Sequence, residues 1–264
     1  MSVMAQSRTE RDLTVGGLRV HVKEKGDGPP TVVLHHSTGP LWTPFYEDLS
    51  ASVTLIAFDL PGYGRSERHE LLSSPRDLAV LTLQAIDLLD RGPVNVVGMG
   101  LGGWIAAEMA SMNRQLISAL VLVGAAGLRP EVGMIHDPMM ESYAEYNRLG
   151  FASADRYDEV YGPEPDPELV QLWDFSREMT ARLTWRPWMW SRSLPVTVAG
   201  IRVPTLVVSG EEDAVVPVEC ARRYHELIAG SELALLPGVG HIADMEQPEE
   251  LARRIVEFVG RRGA

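Results

Sequence analysis

The chain has 264 residues, 45% of them hydrophobic and 23% charged, so it can bury a large core without a metal or disulfide staple. Its 24 basic and 36 acidic residues leave a formal net charge of −12, which repels phosphate backbones and anionic membrane surfaces and disfavours nucleic-acid and membrane partners. A single cysteine, Cys220, excludes an intrachain disulfide and a cysteine-cluster metal site.

The N-terminal stretch MSVMAQSRTERDL carries charges where a secretory signal needs an apolar segment, and the longest near-apolar run, Ile117 to Leu128, is too short to span a bilayer. The chain therefore reads as soluble and cytoplasmic. Leu13 to Val15 and Leu18 to Val22 alternate around Gly16-Gly17, predicting a tight antiparallel hairpin at the start of the fold. Apolar runs follow at Thr31 to Leu34, Val53 to Phe58, Val94 to Val97, Leu120 to Val123, Thr205 to Val208 and Leu233 to Leu236. Such continuous runs suit parallel strands covered on both faces.

Helical spacing fills most of the gaps. Ser74-Pro75 caps and starts a helix to about Leu89, and Leu101 to Met112, Val218 to Ile228 and Pro248 to Val259 repeat apolar positions at helical intervals. The alternation predicts an α/β fold with a mostly parallel, doubly wound sheet. From 128 to 200 the strand rhythm stops, and helix-like segments carry Met134, Met139, Met140, Tyr143, Tyr146, Trp173, Trp185, Trp188 and Trp190. We read 128–200 as an inserted helical cap on a core formed by 1–127 and 201–264. Its aromatic residues are candidates either for cap core or for the lining of an apolar cavity.

The sharpest segment is Asn95-Val-Val-Gly-Met-Gly-Leu-Gly-Gly-Trp104, a strand that enters a helix through a glycine turn. Gly98-x-Gly100-x-x-Gly103 matches a dinucleotide fingerprint, but the next strand ends in Gly124-Ala125-Ala126 with no acidic residue to hold a ribose hydroxyl. The alternative is a nucleophile elbow, whose small flanking residues let a strand turn sharply and expose the central side chain. That central position is Gly100.

The rest of the chain decides for the elbow. Leu34-His-His-Ser-Thr-Gly39, Phe58-Asp-Leu-Pro-Gly-Tyr-Gly-Arg-Ser66, Ser209-Gly-Glu-Glu-Asp213-Ala-Val-Val-Pro217 and Pro237-Gly-Val-Gly-His241 arrive in order, and nearly the whole chain resembles the α/β-hydrolase family. In that resemblance they stand for the oxyanion loop, the loop after the following strand, the acid loop and the histidine loop. Physically, an aspartate can accept a hydrogen bond from one imidazole nitrogen while the other nitrogen takes a proton, and Asp213 and His241 suit these roles. Glu211 and Glu212 read as exposed neighbours. The resemblance further implies an oxyanion hole made by the backbone N–H groups of Ser37 and Leu101.

Two departures follow. Gly100 marks the nucleophile position but has no Oγ, so no covalent acyl-enzyme can form through it. His36 stands where the family has glycine, and its imidazole either packs into space or donates to a substrate oxygen. We take His36, Met99, Trp185, Trp188 and Trp190 as candidate substrate-binding residues. No metal site is expected, since His35 and His36 are adjacent and point to opposite sides, and no cofactor is implied.

The expected activity is that of a hydrolase-family enzyme on a small, largely apolar ester, lactone or carbon–carbon substrate. His241, oriented by Asp213, activates water, and the backbone hole holds the carbonyl oxygen. Two alternatives stay open: a non-hydrolytic general-base enzyme (lyase, isomerase or cofactor-independent), and an inactive ligand-binding protein or serine-to-glycine knockout at position 100 of a serine esterase. Monomer and homodimer are equally compatible with the sequence.

Overall fold

A computed structural model of the chain describes residues 7–112, 115–137, 139–140 and 142–261. The N-terminal segment read above lies partly outside them. Eight strands form one sheet: β1 (Thr9–Val15), β2 (Leu18–Lys25), β3 (Pro30–Leu34), β4 (Thr54–Phe58), β5 (Val94–Met99), β6 (Ile117–Val123), β7 (Thr205–Gly210) and β8 (Glu232–Leu236). Their spatial order is β1-β2-β4-β3-β5-β6-β7-β8, with β1, β2 and β4 paired antiparallel and every other neighbouring pair parallel. The expected α/β class, the doubly wound sheet and the opening hairpin are all present. Val15 and Leu18 face each other across the hairpin, and Gly16 and Gly17 turn it with φ of 57° and 86°.

The helices are α1 (Pro44–Ser50), α2 (Pro75–Leu89), α3 (Leu101–Met112), α4 (Tyr143–Leu149), α5 (Ala154–Tyr161), α6 (Pro167–Thr184), α7 (Leu194–Val198), α8 (Val218–Leu227), α9 (Ala243–Glu246) and α10 (Pro248–Gly260). Helix α2 starts where the sequence places it, because the Ser74 hydroxyl accepts from the Asp77 N–H, the Asp77 carboxylate accepts from the Ser74 N–H, and Pro75 occupies the first turn. Helix α1 was not expected; its start carries the same signal in Thr43-Pro44, but its seven residues are too few to show a periodic pattern.

Side chains alternate across the strands, so two apolar clusters form. Val32, Leu34, Val94 and Val96 pack with Leu78 and Ile86 of α2, Ile105 and Met109 of α3, and Tyr224 of α8. On the opposite face Val33, Val97, Met99 and Val121 pack with Phe45 and Leu49 of α1 and with Leu251, Ile255 and Phe258 of α10. Strands β3 to β7 are covered on both sides, as their continuous apolar runs require. In β8 only Leu236 is fully buried, because β8 is the sheet edge and its outer flank faces solvent.

Among the described residues, the stretch from 124 to 204 contributes four helices and no strand to the sheet. Tyr146, Trp173, Met179, Leu183, Leu194 and Val198 from this stretch join the same apolar cluster as α2 and α3. No helix among the described residues is long and apolar enough to cross a membrane.

The turn from β5 into α3 is tightly packed. A Cβ on Gly98 would lie 2.3 Å from the Gly102 carbonyl oxygen, and backbone cannot yield as a flexible side chain can. Gly98→Ala is expected to lower unfolding stability by at least about 1–3 kcal/mol. Urea titration checks this, the midpoint falling while the slope stays unchanged.

Candidate active site

Four positions singled out by the sequence lie just past the C-terminal ends of parallel strands, where open α/β sheets place their ligands. His36 follows β3, Gly100 follows β5, Asp213 follows β7 and His241 follows β8. Parallel pairing brings these ends together although the residues are far apart in the chain.

Gly100 has φ +54°, the left-handed turn that converts the strand into α3. Its N–H donates to the Val123 carbonyl at 2.9 Å, and its own carbonyl accepts from the N–H groups of Gly103 and Ala126, both at 3.1 Å. Leu101 opens α3 and is fully buried, so its N–H belongs to the first turn, whose donors have no partner within the helix. Ser37 is buried on the loop after β3, where its carbonyl accepts from the Thr180 hydroxyl of α6 at 3.2 Å.

Asp213 and His241 meet as expected. Asp213 Oδ2 lies 2.8 Å from His241 Nδ1, with both side chains buried. Asp213 Oδ1 accepts from the N–H groups of Val215 (2.9 Å) and Val216 (2.8 Å), which fixes the carboxylate and leaves Oδ2 for the imidazole. Since an ionised carboxylate only accepts, His241 Nδ1 carries the proton and Nε2 is free to take another. Glu246 holds the histidine loop, accepting from Gly240 N–H at 2.6 Å and from Ala152 N–H at 2.9 Å, while burial pushes its carboxyl upward. Glu211 and Glu212 are exposed.

His36 does something that sequence reasoning missed. Its Nε2 lies 3.1 Å from Asp244 Oδ1 in α9, and both residues are buried. Its Nδ1 is buried without a hydrogen-bond partner. The His36 and His241 rings stand edge to face with centroids 5.1 Å apart. Asp244 is only three residues beyond His241, but its pairing with a residue 208 positions away leaves no periodic signal in the chain.

His35 points elsewhere, edge-on to Tyr63 with centroids 5.0 Å apart. Its Nδ1 donates to the His36 carbonyl at 2.7 Å and its Nε2 accepts from Leu60 N–H at 3.2 Å. That pattern requires a neutral ring. Among the described residues no cluster of three or more His, Cys, Asp or Glu side chains could hold a metal ion.

Beside His36 lies a small cavity of about 10 Å³, lined among others by Met99, Tyr46, Asn147, Tyr161 and Asp244. Burial first, and the Asp244 charge second, push the Tyr46 and Tyr161 phenols up, so both stay protonated. No lysine or arginine is among the residues that line it. Met99 and His36, both named above as candidate substrate-binding residues, line this cavity together. The three tryptophans do not line this cavity. Trp185 is 56% exposed, Trp188 donates from its ring N–H to the His136 carbonyl, and Trp190 lies against the Arg129 guanidinium. Trp190 instead lines a separate depression of about 670 Å³ between the start of α2 and residues 183–193.

Residues 32–254 match the model of the alpha/beta hydrolase family. The chain belongs to this family. A 2-hydroxy-6-oxo-6-(2'-aminophenyl)hexa-2,4-dienoic acid hydrolase of Metapseudomonas resinovorans is 28% identical, with 96% of this chain and 91% of that protein aligned. A 2-hydroxy-6-oxononadienedioate/2-hydroxy-6-oxononatrienedioate hydrolase of Pseudomonas putida is 27% identical over 92% of each chain. Among solved structures, a meta-cleavage product hydrolase from Pseudomonas fluorescens IP01 superposes with a TM-score of 0.77 at 22% identity, covering 95% of this chain and 97% of that one. The alpha/beta hydrolase fold thus extends through the helical stretch between β6 and β7.

Burial holds the His35 imidazole down at about 4, opposed in part by its bond to the His36 carbonyl, whereas an unfolded histidine titrates near ~6.5. Between those values the unfolded chain binds a proton that the folded chain does not, so stability rises with pH across the window. Acidification from pH 6.5 to 4 is expected to remove about 3 kcal/mol through this residue. Denaturant titrations at several pH values check this, and His35→Gln should flatten the slope.

Proposed function

We propose that the chain is a hydrolase for a small, largely apolar carbonyl substrate, an ester, a lactone or a ketone cleaved at a carbon–carbon bond. The observation that carries this reading is the buried Asp213–His241 pair, whose free Nε2 is directed to the space over Gly100. The named relatives, hydrolases of 2-hydroxy-6-oxo dienoic acids, support the carbon–carbon class.

His241 Nε2 removes a proton from water, and the resulting hydroxide attacks the carbonyl carbon. The oxygen that gains charge lies against the N–H groups of Ser37 and Leu101. Collapse re-forms the carbonyl, the leaving group departs with the bonding pair, and the imidazolium returns the proton to it. Asp213 stabilises that imidazolium without itself becoming protonated. Without an Oγ at Gly100, no covalent intermediate forms.

A cavity of about 10 Å³ accommodates little more than one water, so a substrate enters only when side chains such as Asn147 and Tyr161 withdraw. The lining also sets polarity. A substrate carboxylate beside Asp244 would lack a counter-cation, so the end that enters is uncharged.

His241→Ala is expected to lower kcat on a panel of acyl esters, lactones and 6-oxo dienones by about 10²- to 10⁴-fold. Asp213→Asn should cost a comparable amount, and acyl groups ending in a carboxylate should react more slowly than neutral ones. Steady-state kinetics with product identification checks all three. An unchanged rate in His241→Ala rejects the mechanism.

A further inference from the structure

We propose that His36, held by Asp244, is a second catalytic histidine, and that His36 and His241 together grip the attacking water over Gly100. The proposal rests on the water-activating role given above to His241.

Three observations converge. A Cβ built on Gly100 would lie 2.8 Å from His36 Nδ1 and 3.1 Å from His241 Nε2, so both ring nitrogens border the same space. Each histidine is bound through its other nitrogen to a buried carboxylate, His36 to Asp244 at 3.1 Å and His241 to Asp213 at 2.8 Å. His36 Nδ1 is buried and has no protein partner, which is costly for a polar atom unless something else supplies a donor.

The proton inventory then identifies what fits. Each carboxylate accepts from the imidazole it touches, so the two nitrogens that face Gly100 are both acceptors. A serine hydroxyl has one proton and satisfies one of them. Water has two protons and satisfies both, which turns its lone pairs toward a carbonyl carbon. In the reaction His241 takes one proton while the remaining O–H stays bonded to His36 Nδ1. The new C–O bond forms from the water oxygen, and His241 later gives its proton to the leaving group.

The same geometry makes Gly100 and His36 a matched pair. A side chain at position 100 would crowd the His36 ring, and the imidazole occupies room that a serine needs. Glycine at 100 therefore leaves the His36 ring in place, where any side chain would require it to shift.

Two experiments test this. In the first, His36→Gln, Asp244→Asn and His241→Ala are compared with the unaltered protein on the neutral substrate panel, with folding checked by thermal melts. Loss of kcat on the order of 10²-fold in His36→Gln, with KM little changed, supports the proposal. So does partial recovery of a His36→Gly variant by added imidazole, which a packing role would not give. A silent His36→Gln beside a dead His241→Ala overturns the proposal and leaves the His241 reading standing. A silent His241→Ala, or no turnover by the unaltered protein, overturns both.

The second experiment needs no turnover. Gly100→Ser and the double variant Gly100→Ser with His36→Gly are treated with a fluorophosphonate serine probe. Labelling confined to the double variant supports the pairing, and equal labelling of Gly100→Ser alone overturns it.

Discussion

Three stretches of backbone approach one another at the end of β5 with no side chain between them, and the geometry of the whole sheet edge follows from this. Gly98 touches the Gly102 carbonyl, and Gly102 in turn lies against the carbonyls of Leu34 and His35. No larger residue fits at these contacts, so the first turn of α3 is drawn onto the loop that follows β3. Gly100 is thereby set at a positive φ directly over the sheet edge. The N–H of Leu101, the loop carrying His36 and Ser37, and the dyad of Asp213 and His241 are brought around that single position.

What stands over Gly100 decides the chemistry open to this member of the family. The elbow geometry is intact, but the place of a nucleophilic side chain is bordered by two imidazoles, each anchored to a buried carboxylate. Under the proposed reading, a water molecule takes the place over Gly100 that a hydroxyl nucleophile would hold. Asp213, His241 and the N–H groups of Ser37 and Leu101, to which that reading assigns the roles of orienting acid, base and backbone donors, follow strand ends packed into the core.

The surroundings narrow the ligand. The small cavity beside His36 is lined by Tyr46 and Tyr161, both kept protonated by burial, with Met99, Asn147 and Asp244 beside them, and the proposed preference for an uncharged group rests on that lining. The helices between β6 and β7 share the apolar cluster of α2 and α3, and Thr180 of α6 is hydrogen-bonded to the Ser37 carbonyl. That layer is therefore tied directly to the loop that follows β3.

Much of this was legible in the chain. Continuous apolar runs bounded by glycine and proline reveal buried parallel strands, Ser74-Pro75 reveals a helix start, and the loops carrying Gly100, Asp213 and His241 stand at strand ends in the order the fold demands, because these features depend on neighbours close in sequence. The same local rules missed the seven-residue α1, and they could not tell that β8 is an edge or that Trp185 faces solvent, since burial depends on what packs from elsewhere. The pairing of His36 with Asp244, and the convergence of two free imidazole nitrogens over Gly100, belonged to the tertiary structure alone. Strands far apart in the chain meet only when the sheet assembles, and a hydrogen bond spanning 208 residues follows from that assembly and from no pattern within the sequence.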